Sequence, residues 1–300
     1  MAVPKTKLGP LAAVALVSVA FAWGASFVLM KDTIETQPIW DFLGTRFVVA
    51  TLVMILVRPS VLRLIRGRLL LNGVILGLLL GAGYYTQTVG LQLTTAAITG
   101  FLTGLYVVMV PFLAWFFFKQ KIGAKVVAGV ALSTVGLAFI SINGVSFDLN
   151  QLWVVACALF YAAHIIGLSV WSPGRDAYAL TVVQLGTMAV ATMAFAFIDG
   201  FQGPVGFNGW FTIVFTAVLG TALGFFVQTW AQGIMDPSRV AIILTLEVVF
   251  AAGIAVAVGQ ETLLPKTLLG GLLMLAAMVL VEWPSRRSKG NLVPLEPMQH

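Results

Sequence analysis

Three side chains able to carry charge fall inside long apolar stretches of this 300-residue chain: Arg46, His164 and Glu247. An ionisable group at that depth is costly, so each is a functional candidate by default. Glu247 can carry protons or hold a substrate ammonium, or it can partner Arg46 or backbone groups where helices cross. Arg46 can grip a carboxylate with two parallel N–H bonds, pair with Glu247, or reach toward the external surface. His164 changes charge near neutral pH; it either lines a cavity or packs against a neighbouring carbonyl. Two amides join them. Gln87 and Gln228 lie just beyond Gly83-Tyr84-Tyr85 and Gly224-Phe225-Phe226. Tyr84 and Gln87 are three apart and so share a helix face, as do Phe225 and Gln228. An amide beside an aromatic wall suits the zwitterion and side chain of an amino acid. The plainer role is an interhelical hydrogen bond, worth about 1 kcal/mol. Trp23, Phe101 and Tyr161 are further aromatic candidates for a cavity, with Tyr85, Tyr106 and Trp230 behind them.

The elements that must position these groups are membrane helices. Hydrophobic residues make up 60% of the chain and charged ones 9%, against about 25% charged in an ordinary soluble domain. A spanning helix needs roughly 20 mostly apolar residues. Such runs occupy 8–30, 39–57, 70–91, 96–118, 123–142, 150–171, 179–198, 208–232, 238–259 and 266–283. The first is too long for a cleavable leader and reads as a span. Lys and Arg outside the spans are strongly asymmetric. With the N-terminus in the cytoplasm, fourteen lie inside and only Lys31 and Lys266 outside, which predicts that both termini are cytoplasmic. The excess of positive charge therefore reads as a topology signal and not as a nucleic-acid surface. Cys157 is the single cysteine, so no internal disulfide forms. Trp40, Trp153, Trp171, Trp210 and Trp283 sit at predicted helix ends, as an interfacial aromatic belt does. The polar tail 284–300 reads as disordered.

The chain also repeats itself. Shifted by 141 positions, Gly83 to Thr88 falls on Gly224 to Thr229, Leu105 on Leu246, Lys125 on Lys266 and Gly129 on Gly270. Nearer the N-terminus the shift is 138, setting Trp23 against Tyr161 and Arg46 against Gln184. Two related units follow, 1–142 and 143–283. Five helices per unit is an odd number, so the second unit enters the membrane inverted. Inverted repeats are typical of secondary transporters, with the substrate near the midplane between them.

The segment Leu246-Glu247-Val248-Val249-Phe250-Ala251, followed by Gly259-Gln260-Glu261 and Gly270, resembles the EamA-type domain of the drug/metabolite transporter superfamily. Trp23-Gly24-Ala25-Ser26-Phe27 and Arg46-Phe47-Val48-Val49-Ala50 are similar to its opening motifs. The pattern departs from the family at Val248, where a proline is expected, at Gln120 opposite Glu261, and at Tyr106 opposite Glu247. Within the superfamily the chain looks most like aromatic amino acid exporters of the YddG type.

The resemblance implies an all-α membrane protein of ten transmembrane helices in two inverted five-helix repeats, in a bacterial-type inner membrane. The expected function is export of small metabolites, foremost amino acids including aromatic ones, by alternating access. Trp23, Tyr84, Gln87, Phe101, Tyr161, His164, Phe225 and Gln228 would meet substrate, with Arg46 and Glu247 as coupling or structural charges. The partners are a small molecule and the lipid bilayer, without nucleic acid; a monomer is compatible with the sequence. No cofactor or metal is expected: there is no phosphate-binding glycine loop and no clustered ligand set. Efflux of drugs or toxic compounds is the alternative within transport. An intramembrane enzyme, the alternative outside it, lacks a nucleophile with a placed base.

Overall fold

The computed structural model describes residues 5–93, 96–119, 121–141, 149–198, 200–259, 262 and 264–283. The tail 284–300, Gln120 and Glu261 lie outside the described residues, as do the side chains of Lys31 and Phe101.

Helices are α1 (Lys5–Thr36), α2 (Ile39–Val57), α3 (Gly67–Leu93), α4 (Ala96–Gly104), α5 (Tyr106–Phe118), α6 (Ala124–Ser141) and α7 (Leu152–Trp171). They continue as α8 (Ala177–Ala196), α9 (Gly206–Phe215), α10 (Gly224–Gln232), α11 (Pro237–Leu244), α12 (Leu246–Ala257) and α13 (Pro265–Glu282). Among the described residues, eight helical stretches are long and apolar enough to cross a bilayer, and Leu102–Phe118 and Ala124–Ile140 are two shorter apolar ones. Large apolar side chains such as Leu56, Phe117, Val190 and Phe207 face outward, each more than half exposed. Only lipid makes such a surface favourable.

Local chemistry ends the helices where the sequence breaks. Asp176 caps α8 by accepting from the Ala179 N–H at 2.9 Å, and Asp236 caps α11 by accepting from Ser238. Pro237 and Pro265 open their helices, where the missing N–H costs nothing.

Three interruptions are absent from the sequence reading. The fourth apolar run is two helices broken at Leu105, and the ninth is two helices broken at Thr245. The eighth carries a π-helical segment, Thr216–Leu223, between α9 and α10. Glu247 lies near the middle of the apolar run 238–259, yet because of the break it sits in the first turn of α12, beside the positive end of that helix dipole.

Contacts between the two units come in matched sets. α6 lies against α13 and α2 against α8; α3 against α7 matches α1 against α10; α5 against α7 matches α1 against α12. The α6–α13 crossing shows the pairing residue by residue. A Cβ on Gly129 would run into Val281, with Ala277 O at 3.6 Å; one on Gly270 would meet Ile140 Cγ1 at 2.7 Å and the Gly136 carbonyl. Under the 141-residue shift these are the same contact made twice. Replacing Gly270 with alanine is therefore expected to cost about 1–3 kcal/mol through overpacking, seen as a lower midpoint of thermal unfolding in detergent. An unchanged midpoint would mean the helices separate without strain.

Both ends of the α2–α8 pair are tied by an aspartate. At one end Arg58 pairs with Asp176 at 2.8 Å, while the Tyr178 hydroxyl donates to Met54 O at 2.6 Å. At the other, Asp41 accepts from the Gln202 N–H at 2.7 Å and Gln37 donates to Gln202 O at 3.0 Å.

Candidate functional site

Polar groups scattered through the apolar runs converge on one cavity. It holds about 540 Å³ and is lined from both units, by Trp23, Arg46, Tyr84, Gln87, Tyr161, His164, Phe225, Gln228 and Glu247 among others. The candidates expected to meet substrate, and both candidate charges, reach the same space wherever their side chains are described. Tyr106 joins them, whereas Tyr85 stacks on Trp40 and Trp230 packs against the core cluster formed around Leu16, Val107 and Ile242. Small-molecule sites generally span about 300–1,000 Å³.

The cavity is one-sided. Val28 and Met30 near the end of α1, Ile39 at the start of α2, Thr88 late in α3, Thr99 early in α4 and Ala252 late in α12 all line it. Because successive spans alternate in direction, these positions share one side of the bundle. The repeat sets Val107, Val110, Val240 and Ala241 opposite the lining residues Val248, Ala251, Thr99 and Gly100, and the first four, on the other side, are sealed, each 0% exposed. The cavity is closed toward the side where α1 begins.

Arg46 and Glu247 do not pair. Arg46 is 4% exposed; its Nε donates to Thr221 Oγ1 at 2.6 Å and its Nη1 approaches Met30 Sδ at 3.3 Å. Among the described residues no carboxylate contacts it, and none of the two ion pairs present includes Glu247. A guanidinium has five donors, and most of these remain for an anion. No described donor bonds the Glu247 carboxylate, which keeps its lone pairs for an incoming cation.

The π-helical segment accounts for how Arg46 is held. Thr221 Oγ1 accepts from Arg46 and donates to Thr216 O at 2.9 Å. The carbonyl of the residue before Thr221, Gly220 O, accepts the Trp23 indole N–H. π turns are rare and concentrate at functional sites. This one presents a hydroxyl and a carbonyl toward α1 and α2. Gly220 must lack a side chain, since a Cβ there would lie 2.7 Å from Ser26 Oγ.

His164 lines the cavity and is also packed, 2% exposed. Its Nε2 lies 2.8 Å from Gln184 Oε1. The Gln184 amide nitrogen donates to Leu180 O and Thr229 Oγ1, so its oxygen is the acceptor and His164 Nε2 carries the hydrogen. Gln87 is satisfied on both sides: its Nε2 donates to Thr103 Oγ1 and its Oε1 accepts from the Tyr161 hydroxyl, each at 3.3 Å. Gln228 is not, because its Nε2 donates to Gln232 Oε1 at 3.1 Å while its own buried Oε1 has no partner.

Sequence reasoning missed Ser26, Thr88, Thr99 and Thr103 as lining residues. Hydroxyls bond back to their own helix, as Ser26 does to Ala22 O and Thr88 to Tyr84 O. They are therefore cheap anywhere in a span, and their type alone gives no signal.

A two-unit helical bundle around a one-sided cavity defines a multi-pass membrane protein of the carrier kind. The EamA-like transporter family model matches twice, over residues 10–142 and 149–283. A curated relative from Archaeoglobus fulgidus, described as an uncharacterized transporter, is 32% identical over 267 residues, 89% of this chain and 84% of that protein. The chain belongs to the EamA-like transporter family. A crystal structure of another protein superposes with a TM-score of 0.80 at 16% identity, covering 94% of this chain and 99% of that one, and so shares the fold.

Proposed function

We propose that the protein exports amino acids, aromatic ones included, by alternating access around the central cavity, as exporters of the YddG type do. One observation carries this reading: Arg46 and Glu247 face the same cavity without neutralising each other. A zwitterion supplies what each lacks, a carboxylate for Arg46 and an ammonium for Glu247. The aromatic surfaces of Trp23, Tyr84, Tyr161 and Phe225 offer an apolar side chain somewhere to lie. Phe101 belongs with this wall in the sequence reading. The ten spans then form two inverted units, 1–142 and 143–283. With both termini in the cytoplasm, the present arrangement is the outward-open state.

The test is flux in proteoliposomes with labelled phenylalanine, tryptophan and threonine, with and without a pH gradient. Flux of several amino acids is expected. Indifference to the gradient identifies a uniporter; dependence on it assigns proton carriage to Glu247 or His164. Folded protein without amino acid flux would overturn the substrate and move the reading to efflux of toxic compounds.

A further inference from the structure

The repeat makes a specific comparison possible. Gly83 and Gly224 are counterparts, as are Gln87 and Gln228, and Tyr161 and Trp23. The Tyr161 ring of the second unit lies against Gly83 of the first, where a Cβ would collide with it. Its hydroxyl reaches one helical turn onward, to Gln87 Oε1. Conversely, the Trp23 indole of the first unit lies against Gly224 of the second in the same way, a Cβ there coming within 2.8 Å of Nε1. Here the N–H points one turn back, to Gly220 O in the π segment. Gln228, one turn onward from Gly224, is left with a carbonyl oxygen that no group among the described residues bonds.

That oxygen has a fixed direction. Gln232 Nε2 donates to Ile165 O at 2.7 Å, which turns Gln232 Oε1 toward Gln228 and makes it accept from Gln228 Nε2. Gln228 Oε1 must therefore face the other way. Gln228 is 3% exposed, and no described group bonds this acceptor. Leaving it unpaired costs about 1–3 kcal/mol.

We infer that Gln228 is the second seat of the Trp23 indole N–H, empty in this state and filled when the cavity opens to the opposite side. The inference rests on the alternating-access reading and adds its positioning residues. In inverted repeats, the opposite state gives each residue the role its counterpart has now. Trp23 then bonds Gln228 as Tyr161 now bonds Gln87. The indole N–H leaves Gly220 O, and the 216–223 segment can regain α-helical register, in which Gly220 O finds an N–H on its own helix. One hydrogen bond is exchanged for another and the unpaired acceptor is relieved. Gln232 acts through Gln228, by aiming it.

The test uses two single-cysteine reporters with Cys157 replaced by serine. Val240→Cys lies on the side now sealed, and Ala252→Cys lies in the open cavity. Each is exposed in vesicles to a membrane-impermeant maleimide on its own side. Gln228→Met removes the acceptor. It is expected to slow labelling of the Val240→Cys reporter about tenfold while Ala252→Cys labelling continues. With Trp23→Phe also present, which keeps a ring but has no N–H, adding Gln228→Met is expected to change labelling less than twofold. Such non-additivity marks a direct interaction, and a general packing defect does not produce it. Gln228→Leu serves the same purpose where Gln228→Met does not fold. Equal labelling with and without Gln228→Met overturns the exchange, and so does an undiminished effect in the Trp23→Phe background. If Val240→Cys in the otherwise unaltered protein is never labelled from its side, alternating access and the exchange fall together. Labelling requires no substrate, so absence of amino acid flux leaves this result standing on its own.

Discussion

Replacing Arg46 by glutamine is expected to lower the apparent affinity for phenylalanine roughly a hundredfold, the equivalent of a lost bidentate charged contact of about 3 kcal/mol. Phenethylamine, which has the ring and the ammonium but no carboxylate, should bind the Arg46→Gln variant about as it binds the unaltered protein. The ratio between the two ligands is the informative quantity. Arg46 also steadies the π-helical segment through Thr221, and a loss of that support would weaken both ligands alike. Arg46→Lys should recover little, because a point charge does not reproduce the planar fork. Unchanged phenylalanine affinity in Arg46→Gln would end the carboxylate assignment.

The second large effect belongs to Glu247. Glu247→Gln keeps the shape and polarity of the side chain at the start of α12 and removes its capacity for full negative charge. Affinity for phenylalanine is expected to fall some tens of fold, within the range of a charge-assisted hydrogen bond. Affinity for N-acetylphenylalanine, which has no ammonium, should hardly move. Binding assays in detergent on both ligands decide it. Equal losses would make Glu247 a structural residue of the broken helix. The two substitutions bracket a zwitterion from its two ends, and their ligand dependences should be opposite.

Much of this site was legible before any coordinates. Arg46, His164, Gln87, Gln228 and Glu247 announce themselves because polarity in a span is costly, and the cavity gathers all five. The apolar runs likewise locate the helical stretches to within a few residues. What was hidden has a common cause. Neither Leu105 nor Thr245 is a helix breaker by type, yet helices end there. Nothing in Thr216–Leu223 signals a π turn, and its bonds to Trp23 and Arg46 come from other helices. The partners of Arg46, Thr221 and Met30, are set by packing and not by local sequence. The sequence left an Arg46–Glu247 pair open as one reading among several, and the two groups do not pair.

The Gly129 and Gly270 contacts show how closely one unit can copy the other where they touch across the α6–α13 crossing. Around the cavity the copying fails: Arg46 stands opposite Gln184, Glu247 opposite Tyr106, Ser26 opposite His164. A perfect duplicate would present the same groups from both directions and leave a ligand no way to tell head from tail. The cavity owes its polarity to the places where the two copies have diverged. A bound zwitterion is thereby given one orientation across an otherwise two-fold frame.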